Sequence, residues 1–294
     1  MSRAKIGTSG WNYDEWIGKF YPSKINKKKE LEYVSKIFPT VEVNGTFYSL
    51  KHCHNFKQWY EITPTDFIFS IKANRFITHV KKLNDVESPL ANFFASGILI
   101  LKEKLGPILW QLPPNMSFNP VMLEKFLRIL PKNFNEAVRI GSKSKMPRDR
   151  KFLKITKNLR IRHAMEIRNN TFLNPWFIEI AKKYKVAVVF SDTAGKWPYF
   201  EDITADFIYI RLHGENKMYS SSYSNDAIQF WGKRIITWKE GGAPKDTVTI
   251  TDNKFKQRKR DVYVYFDNDV NANAPLDAKR LIQNIARLNP KGRS

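Results

Sequence analysis

FIYIRLHGENKMYSSSY, residues 207–223, is an apolar strand that ends in charge and opens into a tyrosine-rich loop. Side chains alternate across a strand, so Tyr209, Arg211 and His213 share one face while Ile208, Ile210 and Leu212 share the other. An unbroken apolar face calls for a covering helix. The opposite face carries a guanidinium and an imidazole to the carboxyl end of the strand, where barrels of alternating strands and helices keep their chemistry. The stretch therefore predicts a barrel strand, and it requires other strands of the chain to repeat the same switch from apolar to polar.

Working outward, they do. Residues 186–192, VAVVFSD, end in Asp192, and residues 161–168, IRHAMEIR, set Ala164, Glu166 and Arg168 on one face and Met165 and Ile167 on the other. Residues 108–112, ILWQL, carry Gln111 and stop at Pro113-Pro114. Residues 67–72, FIFSIK, align Ile68, Ser70 and Lys72, while residues 41–47, VEVNGTF, set Glu42 and Asn44 against Val41 and Val43. Residues 4–9 and 262–269 supply the first and eighth strands. Helical spacing joins them over residues 25–38, 56–62, 88–105, 120–130, 175–184, 225–239 and 275–288, several opened by a capping residue followed by proline (Ser88-Pro89, Asn119-Pro120, Asn174-Pro175). Eight strands interleaved with helices predict a parallel α/β architecture, and charged residues at most carboxyl ends favour a closed barrel over an open sheet.

A chain of 294 residues suits one such domain, since a barrel takes about 250 residues. The excess lies in residues 132–160, too long for an ordinary connection and rich in Lys143, Lys145, Arg148, Arg150, Lys151, Lys154 and Lys157. This segment is predicted to be a basic insertion between the fourth and fifth strands, forming a cationic flap or helix pair beside the barrel mouth. A second basic cluster falls at Lys254, Lys256, Arg258, Lys259 and Arg260. Over the whole chain, 50 basic residues face 28 acidic ones, a balance of +22 that attracts polyanions, although a lysine-rich surface kept for solubility gives the same sum. The single cysteine, Cys53, excludes an internal disulfide and suits a reducing compartment. No apolar signal core opens the chain and no run approaches about 18 apolar residues, which predicts a cytoplasmic protein without a membrane span. The aromatic loop GWNYDEWIGKFYP, residues 10–22, either stacks on a base or a sugar or plugs the barrel mouth.

The pieces GTSGWNYDEWIGKFYP, VEVNGTFY, FSIKANRFITH, LGPILWQLPP, HAMEIRN, YIRLHG and YFDNDVNANAP run through nearly the whole chain. In these pieces and their order the chain resembles the domain of unknown function 72 family, also called YecE-like. The resemblance implies a TIM-type (β/α)8 barrel and leaves the activity open. It also implies a recurring polar set: Glu42, Asn44, Tyr48, Lys72, His79, Gln111, Glu166, Arg168, Asp192, Arg211, His213, Tyr219, Tyr223, Asn268 and Asp269. Two departures affect loop shape. Ser49-Leu50 stands where the family has a proline after TFY, and Arg168-Asn169 with Phe172 stands where it has RH followed by tryptophan.

Within that set, Glu42, Lys72, Glu166, Asp192 and His213 are the expected catalytic residues and the other ten the expected substrate contacts. Seven of them, Glu42, Lys72, Glu166, Arg168, Asp192, Arg211 and His213, are expected to face one cavity at the carboxyl ends of the strands. Glu166, Asp192 and His213 come from three successive strands and could hold a divalent metal ion. The alternative pairs each acid with a cation, Glu166 with Arg168 or Arg211 and Asp192 with Lys72, which leaves no place for an ion. Without a metal, Glu42, Glu166 and Asp192 serve as proton carriers, Lys72, Arg168 and Arg211 as anion clamps, and Tyr219 or Tyr223 as a gate. His52, His54, His163 and Cys53 are expected to be structural. The functional expectation is a hydrolase acting on a phosphate-bearing substrate, nucleic acid first. The alternatives are a carbohydrate-active enzyme, glycosidase or sugar isomerase, for which carboxylates about 5–10 Å apart would serve, and a non-catalytic binding protein.

Overall fold

The structure, a computed structural model, describes residues 3–252 and 257–289, so Lys254 and Lys256 of the second basic cluster lie outside the described residues. Its strands are β1 (Ala4–Ser9), β2 (Thr40–Val43), β3 (Ile68–Lys72), β4 (Leu105–Gln111), β5 (His163–Glu166), β6 (Ala187–Asp192), β7 (Phe207–Leu212) and β8 (Asp261–Phe266). They lie in chain order in one closed parallel barrel, with β8 paired to β1. The helices are α1 (Glu30–Ile37), α2 (Gly45–Tyr48), α3 (Cys53–Ile62), α4 (Glu87–Ala95), α5 (Pro120–Ile129), α6 (Phe134–Gly141), α7 (Pro175–Tyr184), α8 (Asn225–Lys239) and α9 (Asn273–Leu288). This is the TIM-type (β/α)8 architecture that the alternating pattern predicts.

Local chemistry explains where elements begin and end. Asn119 and Asn174 accept hydrogen bonds from the amides of Met122 and Trp176, with proline in the first turn, so α5 and α7 start where their caps are written. The helix expected over residues 88–105 instead breaks at Gly97, where φ is +115° and an added Cβ would come within 3.0 Å of the Cys53 Cα. A 3-10 segment, Ile98–Lys104, continues from there. The strand expected over residues 41–47 stops at Val43, because the following residues coil into α2 and Thr46 Oγ1 donates to the Lys72 carbonyl at 2.7 Å. No α-helix separates β6 from β7 among the described residues. That place is taken by a segment without regular secondary structure, which residues 248–251 hold from the far side of α8. The Glu201 amide donates to the Val248 carbonyl at 2.7 Å, and the Asp202 carboxylate accepts from the amides of Ile250 and Thr251 at 2.7 and 3.1 Å.

Two apolar layers result. Inside the barrel, Leu109, Ala164, Ala187, Val189, Phe207, Tyr209, Tyr263 and Tyr265 fill the interior. Between sheet and helices, Trp110, Phe126, Ile210 and Trp238 belong to a larger core. Register then decides what sits above the inner layer. Ser9 pairs with Glu42, Glu42 with Ser70, Gln111 with Glu166, Ser191 with Arg211, and Arg211 with Tyr265. Neighbours in register share a face, so these side chains form one inward-facing polar layer at the carboxyl end.

The basic insertion starts at the opposite end, where Asn133 and Arg160 form an antiparallel bridge beside β5. It climbs the outer wall against α4: Ser144 Oγ bonds Asn92 Oδ1 at 2.8 Å and the Phe152 amide donates to the Ala95 carbonyl at 2.8 Å. Arg150 reaches the Leu50 carbonyl at 3.5 Å. These contacts make it a brace on the wall that includes one α-helix, α6, in place of the expected cationic flap or helix pair beside the mouth. No helix among the described residues is long and apolar enough to cross a membrane.

Candidate active site at the carboxyl end of the barrel

Arg211 sits at the centre of the polar layer, fully buried, with acceptors on all three of its nitrogens. Nε and Nη2 donate to the two oxygens of Glu42 at 3.1 and 2.8 Å, Nη1 to Glu166 Oε2 at 2.7 Å, and Nη2 also to Ser9 Oγ and Asp267 Oδ2, both at 3.0 Å. Tyr209 Oη and Ser9 Oγ donate to Glu42, and Gln111 and Arg168 to Glu166 at 3.0 and 2.9 Å. Burial alone would raise the Glu166 carboxyl, but Arg211, then Arg168, outweigh it and hold the group well below the usual carboxylate range. Asp267 is held low in the same way, by Arg211 and His213 against burial. The ring of His213 lies with Nδ1 2.9 Å from Asp267 Oδ2, off the line of a formed N–H bond.

Nearer the opening, the chemistry is less committed. The side chain of Lys72, at the end of β3, makes no hydrogen bond or ion pair among the described residues, and its Nζ lies 4.5 Å from the centre of the Phe47 ring. Burial, with Arg211 second, lowers its ammonium to about 8. His79 meets the same Phe47 ring edge-on at 5.0 Å, and burial, followed by the charges of Lys72 and Arg168, lowers its imidazole to about 4. Arg168 spends Nε on Glu166, lies over Trp197 and leaves Nη2 3.5 Å from Tyr219 Oη. Asn44 bonds Ser9 at the edge of the layer, at 2.9 Å to the hydroxyl and 3.1 Å to the carbonyl.

Of the seven residues expected to face one cavity, six gather in and beside the buried layer around Arg211: Glu42, Lys72, Glu166, Arg168, Arg211 and His213. Asp192 does not. Its register partner is Leu212, an outward residue, and its carboxylate accepts from Tyr223 Oη at 3.1 Å. Tyr223 is 2 % exposed and so is a strut between Asp192 and the Gly214 amide, which corrects its reading as a gate. Asn268 also turns outward, tying the Ser221 carbonyl to Asp277 of α9 at 2.9 Å each. Asp269 is enclosed beside Tyr13, where burial, then the neighbouring Asp267 charge, raises its carboxyl well above the usual range. Tyr48 projects into solvent from the end of α2. Glu166, Asp192 and His213 therefore do not converge as a metal site. Arg211 occupies the middle of the carboxylates, and no group of three His, Cys, Asp or Glu side chains is disposed to hold a metal ion among the described residues.

Sequence reasoning missed Asp267 and Ser9. Alternation from Tyr263 through Tyr265 puts Asp267 on the inward face and Asn268 on the outward one, a signal present in YFDND. The aromatic loop is a plug: Trp11, Trp16, Phe20 and Tyr21 are buried, and Trp16 bonds the Asp269 carbonyl at 3.1 Å. His163 is satisfied on both nitrogens, by Trp110 Nε1 at 3.0 Å and the Pro131 carbonyl at 2.7 Å.

A family model described as "Protein of unknown function DUF72" matches residues 5–293. The chain is 22% identical to the UPF0759 protein YunF of Bacillus subtilis (strain 168), across 95% of this chain and 93% of that one. Its fold is similar to the crystal structure of a DUF72 family protein from Thermotoga maritima MSB8, with TM-score 0.71 at 22% identity over 95% of this chain and 98% of the other. A DUF72 family protein from Enterococcus faecalis V583 gives TM-score 0.69 at 16% identity over 96% and 95%. At these identities the solved structures speak to the fold alone.

Proposed function

The chain belongs to the DUF72 family, and from the chemistry of its mouth we propose that it is a hydrolase acting on a phosphate-bearing substrate, with nucleic acid the polyanion that a charge of +22 favours. Lys72 carries the reading. Every carboxylate of the polar layer is held by Arg211, so the Lys72 ammonium is a buried cation of the mouth still available to a ligand anion, and Arg168 is the second cation whose charge reaches His79. A phosphate between the two gains charge-assisted hydrogen bonds from both.

His79, neutral at pH 7, takes a proton from the attacking water as its oxygen bonds phosphorus. The ester P–O bond breaks and the leaving oxygen takes a proton from Lys72, whose value near 8 suits a donor at neutral pH. Solvent then restores both groups. Activity should follow a bell, rising as His79 loses its proton near pH 4 and falling as Lys72 loses its own near pH 8. The carbohydrate reading has less support, since the aromatic loop is buried and Glu42 and Glu166 are both bound to one guanidinium.

The test is hydrolysis of a labelled single-stranded oligonucleotide and of bis(4-nitrophenyl) phosphate by the wild type, Lys72→Met and His79→Asn. Losses of about 100-fold or more in both variants, with folding intact by circular dichroism, are expected. A wild type that hydrolyses neither substrate between pH 4 and 9 would rule out the hydrolase. Phosphate binding that persisted in it, lost in Lys72→Met, would leave a binding protein.

A further inference from the structure

At the other end of the barrel lies a cavity of ≈ 730 Å³, lined by the segments that lead into β5, β7 and β8 and by the end of α7. Its floor is apolar and buried, formed by Ile161, Ile203 and Ala205. Its walls carry seven cationic side chains against one carboxylate, that of Asp206. Part of this charge has local work. Arg160 Nη2 bonds Asp206 Oδ1 at 3.0 Å, Lys182 bonds Glu179 at 3.1 Å, Lys183 bonds Glu124, and Arg260 Nη1 donates to the carbonyls of Arg258 and Gly241 at 2.9 and 3.3 Å. Lysines at the end of α7 also offset its helix dipole. Lys132, Lys185 and Arg258 remain, exposed, with side chains that make no ion pair or hydrogen bond among the described residues.

We propose that this amino-end basin binds a nucleotide phosphate, free or as one unit of a single strand, with the phosphate on Lys132, Lys185 and Arg258 and the base on the apolar floor. The volume lies within the range of small-ligand sites, roughly 300–1,000 Å³. A concave wall of one sign concentrates the field that an anion meets. Apolar contact tolerates any base, which fits a floor of aliphatic side chains. The basin shares no residue with Lys72, Arg168 and His79, so the mouth and the basin succeed or fail separately.

The test measures fluorescence anisotropy of a labelled 12-nucleotide single-stranded RNA and, in a second arm, a fluorescent ATP analogue, each over a salt series. The proteins are the wild type, Lys185→Glu/Arg258→Glu, the neutralised Lys185→Gln/Arg258→Gln, and, as a charge-matched control outside both sites, Lys233→Glu/Lys279→Glu. The reversed pair should weaken binding at least 10-fold and flatten the slope of log K against log salt by about 1.4, the effect of two lost contacts on a single strand. The neutralised pair should fall between, and it carries the test if the reversed pair does not fold. The control pair, on the outer faces of α8 and α9, should bind as the wild type does. Binding of the strand alone assigns the basin to polymeric nucleic acid, and binding of both probes to the nucleotide unit. Wild-type-like binding by both basin variants, or an equal loss in the control pair, would overturn the proposal, as would a wild type that binds neither probe at low salt.

Discussion

Removing Arg211 would leave Glu42, Glu166 and Asp267 facing one another in a space closed to water. Stranding buried charge costs about 3–5 kcal/mol, so Arg211→Met should lose that much stability in urea titrations, and Arg211→Lys should recover only part because one ammonium cannot span the fork. The lowered carboxyls of Glu166 and Asp267 make the sign of the acid limb explicit. Their contribution is complete above the ordinary carboxylate range and fades as pH falls through their depressed folded values, so the stability gap between the wild type and Arg211→Met should narrow on acidification. Lys72 has the opposite effect at neutral pH. Its folded value near 8 lies below the unfolded 10.5, so burying the ammonium costs stability that returns as pH rises from 8 to 10.5. Lys72→Met should therefore be more stable than the wild type at pH 7, by on the order of 2 kcal/mol, and the gap should close by pH 10.5. An equal gap at both pH values would contradict the assignment. These residues differ in how well they could be read. Arg211 and His213 stand in a strand whose faces differ, whereas Asp192 ends VAVVFSD, apolar on both faces, so only the partner strand's register shows that it turns outward.

At the scale of elements, strand identity was written in the alternation, and helix starts in the Asn-Pro pairs. Helix interruptions were not, because Gly97 breaks its helix for a reason that lies in α3. The missing helix between β6 and β7 has the same character: residues 199–205 are held by residues 248–251, far along the chain, through Asp202. Asp202→Ala removes the acceptor for three donors, and the cost should be about 2 kcal/mol with faster amide exchange at Ile250 and Thr251. Unchanged protection at both amides would show that the segment is held by something else.

For the molecule as a whole, closure matters more than any one strand. Both β1 and β7 lean on β8, and the β8 chain then leads into α9, whose Asp277 carboxylate anchors Ser222, Tyr223 and Asn268. A chain ended at residue 260 should show no cooperative unfolding transition, since it opens two strand edges at once and exposes the inner layer. Retention of a sharp transition would mean that the first seven strands form a unit of their own. The net charge of +22 was legible from composition, but its placement was not, because it depends on which loops meet at each end of the barrel. In the mouth, Arg211, Arg168 and Lys72 balance Glu42, Glu166 and Asp267, so the excess lies elsewhere.

That balance also bears on inheritance. An arginine held by three acids cannot be lost first without stranding the acids, and no acid can be lost first without leaving the guanidinium short of a partner. Any lineage leaving this arrangement must cross a poorly folding intermediate or change several codons together. The centre of the barrel is therefore harder to alter by single steps than its rim, where Lys72 can be exchanged without stranding a partner, and new substrate preferences have their easiest route through the rim.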